Sequence, residues 1–171
     1  MITLRDVTKS DKSIYDVWQN DSKLASYISR LYPNNCCVED YDTARVCWFI
    51  LEAWASSRRS LQPAIEEDTR DIGSVWLEKD TEETDTMVLG IFISGEQFRG
   101  KGIGSDSIKE AIRITKQRIA FRNVRLNVRK SNLRAIHCYE KCGFRIYGEG
   151  QKTAKDGTII DYYQMVMKVG D

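Results

Sequence analysis

The chain has 171 residues, a length that fits one domain and is enough to bury a substantial core. Apolar residues make up 42% and charged residues 30%, which excludes a disordered chain, and the net charge of +1 implies neither a nucleic-acid surface nor a strongly anionic partner. No apolar run reaches the roughly 18 residues of a membrane span, and the opening Met1-Ile2-Thr3-Leu4-Arg5 lacks a signal-peptide profile, so a cytoplasmic protein with no membrane partner is expected.

Ile2 and Leu4 alternate with polar neighbours and predict a first strand. Ser10-Asp11 reads as a helix cap before an apolar face of Ile14, Tyr15, Val17 and Trp18. A second helical patch holds Leu24, Tyr27, Ile28 and Leu31 and stops at Pro33-Asn34-Asn35. From about Glu39 to Ser57, the recurrence of Tyr41, Ala44, Trp48, Leu51 and Ala55 predicts a longer helix. Glu39 and Asp40 suit its positive end, and Arg58 and Arg59 the opposite one. Strands are predicted over residues 61–66 and 72–77, separated by a turn around Asp68-Thr69-Arg70. The acidic run Glu78, Asp80, Glu82, Glu83 and Asp85 reads as a solvated hairpin tip, although such a run is also able to attract a cationic amine.

Residues 87–93 form an apolar run that reads as a buried strand, and residues 105–118 read as a helix. Between them lies Gln97-Phe98-Arg99-Gly100-Lys101-Gly102-Ile103-Gly104. Glycines in a strand-to-helix turn permit positive φ and leave N–H groups open at the positive helix end, which is a cradle for phosphate. Three phosphate-binding patterns compete for it. A P-loop is nearly spelled, but Gly102 stands where a Ser or Thr must ligate Mg²⁺. A dinucleotide fingerprint needs G-x-G-x-x-G near the start of a chain, whereas the spacing here is Gly100-x-Gly102-x-Gly104, past the middle. The third pattern, Q/R-x-x-G-x-G/A, is filled by Gln97, Gly100 and Gly102. Taken alone, the turn also reads as one that merely packs a helix onto a sheet.

Farther on, Val124, Leu126 and Val128 alternate with Arg125, Asn127 and Arg129 as a strand. Then come Asn132, a good N-cap, a stripe of Ala135, Ile136, Tyr139 and Cys142, and Gly143-Phe144 as a helix stop. A strand over residues 144–147 follows, and Asp156-Gly157 turns the chain into a last strand over residues 158–169.

With both motifs in this order, the chain resembles the GNAT superfamily of N-acetyltransferases, in the branch that acts on ribosomal-protein N-termini, polyamines and aminoglycosides. The firm motifs lie within residues 87–147, while the order strand, helices, three strands, helix, strand, helix, two strands matches over most of the chain. The resemblance implies an α/β (α+β) fold: a mixed, strongly twisted central sheet of six to seven strands with helices on both sides. No internal repeat or linker interrupts it, so residues 1–171 are expected to form a single domain.

The resemblance also implies acetyl-CoA as co-substrate, no metal, and direct transfer to a primary amine in a ternary complex. In the family, the strand at Ile91, Phe92 and Ile93 pairs with the pantetheine arm, and the loop of Phe98, Arg99, Gly100, Lys101, Gly102, Ile103, Gly104 and Ser105 meets the pyrophosphate. Asn132 matches a position contacting the cofactor arm, and Tyr139 the phenol that protonates the leaving thiolate. Each has a plainer reading as well: Asn132 as a helix cap, Tyr139 as core with a satisfied hydroxyl, Arg99 and Lys101 as loop cations. An alkyl amine with a pKa of about 10.4 is neutral only about once in ~10³ molecules at pH 7, so the acceptor proton must be removed. Glu78 and Glu96 are candidate bases by residue type alone.

The acceptor is read as a small-molecule amine, with Trp18, Tyr27, Tyr32, Trp54, Tyr162 and Tyr163 on the elements that build the family's acceptor pocket. Two alternatives stand: a protein N-terminus as acceptor, and a non-catalytic acetyl-CoA- or CoA-binding sensor module. Homodimers are common in the family. The five cysteines include Cys138 and Cys142 at i, i+4 but no C-x-x-C, and the single histidine is His137, so reduced thiols are expected, with Cys138 incidental to catalysis.

Overall fold

The computed structural model describes residues 2–28, 30–34, 36–54 and 69–170. Along them run β1 (Ile2–Asp6), α1 (Lys12–Gln19), α2 (Ser22–Ala25), β2 (Val46–Trp54), β3 (Thr69–Lys79) and β4 (Thr86–Ile93), then α3 (Ile103–Arg118), β5 (Asn123–Arg129), α4 (Leu133–Cys142), β6 (Arg145–Thr153) and β7 (Ile159–Lys168). The described strands make one seven-stranded sheet in the order β1-β2-β3-β4-β5-β7-β6. All neighbours are antiparallel except β4 and β5.

Helices cover both faces. Against one face, Ile108, Ala111 and Ile112 of α3 and Ile136 of α4 pack on Phe49, Leu51, Val75, Leu77, Leu89 and Leu126. Against the other, Tyr15 and Trp18 of α1 and Leu24 of α2 pack on Trp48, Ile50, Trp76 and Phe92. This second layer is aromatic: Tyr15 meets Trp18, Tyr32 and Trp48 at ring centroids 5.1, 5.2 and 5.3 Å apart. Its buried polar atoms converge on Ser74, whose Oγ accepts from Tyr15 Oη (2.6 Å) and Trp48 Nε1 (3.0 Å) and donates to the carbonyl of Phe49 (2.9 Å).

The helix predicted from Glu39 to Ser57 does not form; residues 46–54 are β2 instead, and residues 55–57 lie outside the described ones. The cause is burial on both faces. Cys47, Phe49, Leu51 and Ala53 enter the α3 layer, while Val46, Trp48 and Ile50 enter the aromatic one. A strand covered on both sides loses its alternation, and the resulting apolar run satisfies a helical spacing equally well. Residues 39–45 approach it through turns, where Tyr41 Oη donates to the carbonyl of Val7 (3.1 Å). The second predicted helical patch shrinks to the four residues of α2. Beyond it, the carbonyls of Ser26 and Ile28 turn to Arg129 (2.7 and 3.4 Å) rather than continue a helix. The strand expected over 61–66, Arg58, Arg59 and Asp68 lie outside the described residues.

Candidate active site

β4 and β5 pair only through Thr86, Met87 and Val88 against Asn123, Val124 and Arg125. Past that point β4 runs on to Ile93 and β5 to Arg129 without meeting, which leaves backbone groups of both strands open to a ligand. The opening is a cleft of about 1660 Å³. Gly90 forms part of its wall because the Trp76 ring lies across it; a β-carbon there would overlap the indole.

The glycine turn closes one end of the cleft. Gly100 and Gly102 have φ of +74° and +80°, the left-handed region that side chains resist. The space around Gly100 is empty where a β-carbon would stand, and the nearest atom at Gly102 is an Asp106 carboxylate oxygen 3.8 Å away. At the start of α3, Asp106 N–H donates to the Gly102 carbonyl (3.0 Å), while no described backbone carbonyl receives the N–H groups of residues 100–105. An unsatisfied first turn on a 16-residue helix is an anion site. A phosphate-bearing cofactor therefore fits this turn.

Of the thirteen residues the family resemblance assigns to catalysis or the cofactor, eleven line the cleft: Ile91, Phe92, Ile93, Phe98, Arg99, Gly100, Gly102, Gly104, Ser105, Asn132 and Tyr139. Lys101 is exposed and Ile103 packs on the core, and neither lines it. The Arg99 guanidinium stacks on the Tyr27 ring at 4.6 Å and hydrogen-bonds its phenol, while Tyr27 Oη donates to the carbonyl of Ile93 (3.3 Å). Arg99 thus ties the loop to the end of β4.

The other wall is α4. Asn132 Oδ1 accepts from Ala135 N–H (3.2 Å) as an N-cap, and the turn after Cys142 is closed by Phe144 N–H on the Tyr139 carbonyl (3.0 Å). Phe144 packs edge-on to the Tyr139 ring at 5.8 Å and fixes it. The Tyr139 hydroxyl has no hydrogen-bond partner among the described residues. Burial, then the neighbouring thiols of Cys138 and Cys142, push its phenol well above the ordinary range, so it stays protonated. Cys138 also lines the cleft, its sulfur 3.1 Å from where a β-carbon on Gly104 would stand. A hydrogen bond from Cys142 holds its thiol below the usual value.

The acidic run divides. Glu82, Glu83 and Asp85 are exposed, as a hairpin tip should be, but Glu78 and Asp80 are buried in the cleft wall. Glu78 is held by Arg30 and by Asn34 N–H, both at 2.6 Å, and Asp80 pairs with Arg125. Glu96, the other candidate base, is exposed beside Lys23 (3.5 Å) and lines only a shallow depression with Arg99, Gly100 and Arg134. Among the aromatic candidates, Tyr27 and Tyr162 line the cleft, whereas Trp18 is core and Tyr163 lies under the Lys130 ammonium at 4.9 Å. Sequence reasoning passed over Arg30, Arg125, Arg129 and Lys152, all of which line the cleft. The signal was present for two of them: Arg125 and Arg129 share the face of β5 opposite the buried Val124, Leu126 and Val128.

A sheet split at a parallel pair, a glycine cradle at a helix start and a tyrosine on the facing helix define a GNAT acetyltransferase domain. The sequence profile of the Acetyltransferase (GNAT) domain matches residues 1–145, and the chain belongs to that family. Among its relatives, the aminoglycoside N(6')-acetyltransferase type 1 of Klebsiella pneumoniae is 33% identical over 90 residues, 52% of this chain and 42% of that enzyme. The spermine/spermidine N(1)-acetyltransferase of Bacillus subtilis is 28% identical over 89 residues, 52% of this chain and 50% of that enzyme. The matched stretches therefore span half or less of those enzymes. The fold is similar to that of a Vibrio cholerae spermidine N-acetyltransferase solved with CoA and spermine, with a TM-score of 0.69 and 21% identity over 98% of this chain and 95% of that one. Among the described residues, no helix is long and apolar enough to cross a membrane.

Proposed function

We propose that the chain is an acetyl-CoA-dependent N-acetyltransferase that acetylates a primary amine of a small molecule by direct attack in a ternary complex. The observation that carries this is the meeting, in one cleft, of the open N–H groups at the start of α3, the unpaired edge of β4 and the protonated phenol of Tyr139. The named relatives, which act on aminoglycosides and on spermine or spermidine, support a small-molecule amine as acceptor.

Acetyl-CoA supplies the activated acetyl thioester. The backbone of residues 100–105 binds its pyrophosphate, with Arg99 and Lys101 adding charge nearby, and the free edge of β4 at Ile91 and Ile93 orients the arm as an added strand would. Asn132 sets the start of α4 and so the height of Tyr139, whose Oη holds the proton the departing sulfur needs. Both buried carboxylates of the cleft are committed to guanidinium groups, so the acceptor's proton leaves through solvent rather than through a free side-chain base.

That commitment of Glu78 and Asp80 is also what favours a second reading, a CoA-binding module without turnover. Thiol release from acetyl-CoA, measured with aminoglycosides, polyamines, amino acids and N-terminal peptides, separates the two. Turnover with any class establishes the enzyme. Silence with every class, together with a CoA-dependent rise in melting temperature, leaves the binding module; silence without that rise removes acetyl-CoA from the account.

A further inference from the structure

Tyr27 stands two residues past α2, on an element expected to help build the acceptor pocket, yet the polar contacts of its side chain run to the glycine-turn end of the cleft. Its hydroxyl accepts a hydrogen bond from the Arg99 guanidinium and donates one to the Ile93 carbonyl (3.3 Å). The same guanidinium lies over the ring, 4.6 Å from its centre. One side chain thus joins the loop cation to the last residue of β4.

The backbone that carries Tyr27 is fixed on both sides. Arg129 of β5 donates to the carbonyls of Ser26 (2.7 Å) and Ile28 (3.4 Å), the two residues flanking it. The Leu24 carbonyl accepts from the N–H groups of Tyr27 (3.2 Å) and Ile28 (3.1 Å). Lys23, within α2, pairs with Glu96 at 3.5 Å. The ring is therefore delivered by a segment tied both to the end of β5 and to the loop after β4.

Arg99 is left ordered without being neutralised. Glu96, three residues before it, is taken by Lys23, and no carboxylate meets Arg99 among the described residues. Stacking holds a guanidinium by its face and leaves most of its edge donors free. Arg99 lines both the cleft and the shallow depression together with Gly100, where the open N–H groups of residues 100–105 begin. A loose arginine must give up rotamers to grip an anion; one already stacked has given them up beforehand. A phenol that accepts from a cation also donates more strongly, which tightens its hold on the Ile93 carbonyl.

We propose that Tyr27 is a positioning residue for the cofactor, presenting Arg99 to the pyrophosphate held at the start of α3. The proposal rests on the reading of that turn as the acetyl-CoA site, and it moves Tyr27 from the acceptor pocket to the support of the cofactor. A phenylalanine in its place keeps the stacking but neither accepts from Arg99 nor donates to Ile93. A leucine keeps none of the three contacts.

The test is a double-mutant cycle on CoA binding, read by calorimetry on the full chain. Tyr27→Leu is expected to raise the Kd for CoA by about three- to tenfold, and Arg99→Gln by at least as much. Because Tyr27 acts through Arg99, the double variant should bind CoA no more weakly than Arg99→Gln alone. Tyr27→Phe, which keeps the stacked ring, should show a smaller loss with the same lack of additivity, and it replaces Tyr27→Leu if that variant fails to fold. Losses that multiply put the effect of Tyr27 on Ile93 or on the fold at large and overturn the proposal, as does an unchanged Kd in Tyr27→Leu. A wild-type chain that binds no CoA removes the cofactor reading and this proposal with it. Multiplying losses in a chain that does bind CoA remove this proposal alone.

Discussion

The two halves of the cleft are built by different means. The half at the glycine turn is made of backbone: N–H groups at the start of α3, the bare edge of β4 and left-handed glycines. The other half is made of side chains that cross between elements far apart in the chain, as when Glu78 on β3 is held by Arg30, 48 positions earlier. Backbone geometry can be set by a short motif, because a turn and a helix start are local. A charge pattern assembled from the segment after α2, from β3 and from β5 has no local signature. A fold can therefore keep one half constant while the other is rewritten residue by residue, which is how one cofactor site serves many acceptors.

The largest effect that sharpens this contrast is expected at Tyr139, where the halves meet. Tyr139→Phe removes one oxygen and leaves the ring against Phe144. If the phenol supplies the proton, kcat falls by about 10²- to 10⁴-fold while the CoA-dependent thermal shift is retained. Because the phenol is held above its ordinary range, the wild-type rate should also show no alkaline loss from this group below about pH 10. An unchanged kcat in Tyr139→Phe would strip it of the role.

Next in size is the support of the acceptor half. Ser74→Ala deprives Tyr15 Oη and Trp48 Nε1 of their shared acceptor within a buried aromatic layer, and the loss of stability is expected to be about 1–3 kcal/mol by denaturant unfolding. CoA binding should survive, since the glycine turn lies outside that layer. The cradle is tested at Gly102. Gly102→Ala meets only an ordinary contact with the Asp106 carboxylate at 3.8 Å but must hold φ near +80°, so strain rather than collision is the expected cost, about 1–2 kcal/mol, read as weaker CoA affinity and a lower melting temperature together.

The same division governs what could be read before the structure was known. Gln97, Gly100 and Gly102 before an amphipathic helix, and Asn132 through Phe144 as a capped helix, carry their geometry locally, and both fold as their patterns predict. β2 was misread because both of its faces are buried and its alternation vanished. Glu78 and Asp80 looked like part of a solvated tip because nothing near them in sequence announces Arg30 or Arg125. The seven strands expected from the sequence include one over residues 61–66, outside the described residues, and leave out β2, so they are not the same seven that the described sheet contains. Arg125 and Arg129 were visible as the polar face of β5, but what that face looks onto is decided by the splay from β4.

The smallest expected effect lies away from both halves and serves as their control. Arg5 on β1 binds Asp11 through both terminal nitrogens (2.9 and 2.8 Å), Glu52 on β2 (2.8 Å) and Asp71 on β3 (3.1 Å). Burial alone would raise Asp11, but hydrogen bonds from the Arg5 guanidinium and the Thr8 N–H outweigh it and hold the carboxyl below its ordinary value. A carboxyl depressed in the folded state contributes stability wherever the unfolded chain's carboxyl is ionised, above about pH 4, and that contribution is lost as pH falls through the folded value. Asp71 runs the other way: burial, only partly offset by Arg5, raises it, so its protonation favours the fold and softens the acid loss. Urea midpoints measured from pH 6 down to pH 2 should therefore fall less steeply in Asp11→Asn than in the wild type, and more steeply in Asp71→Asn. The clamp touches neither the glycine turn nor the Glu78–Arg30 and Asp80–Arg125 pairs of the cleft wall, so at pH 7 both variants should keep the wild-type KM for acetyl-CoA and for the acceptor. A change in either KM would mean that the outer strands set the opening between β4 and β5, and the two halves would then no longer be independent.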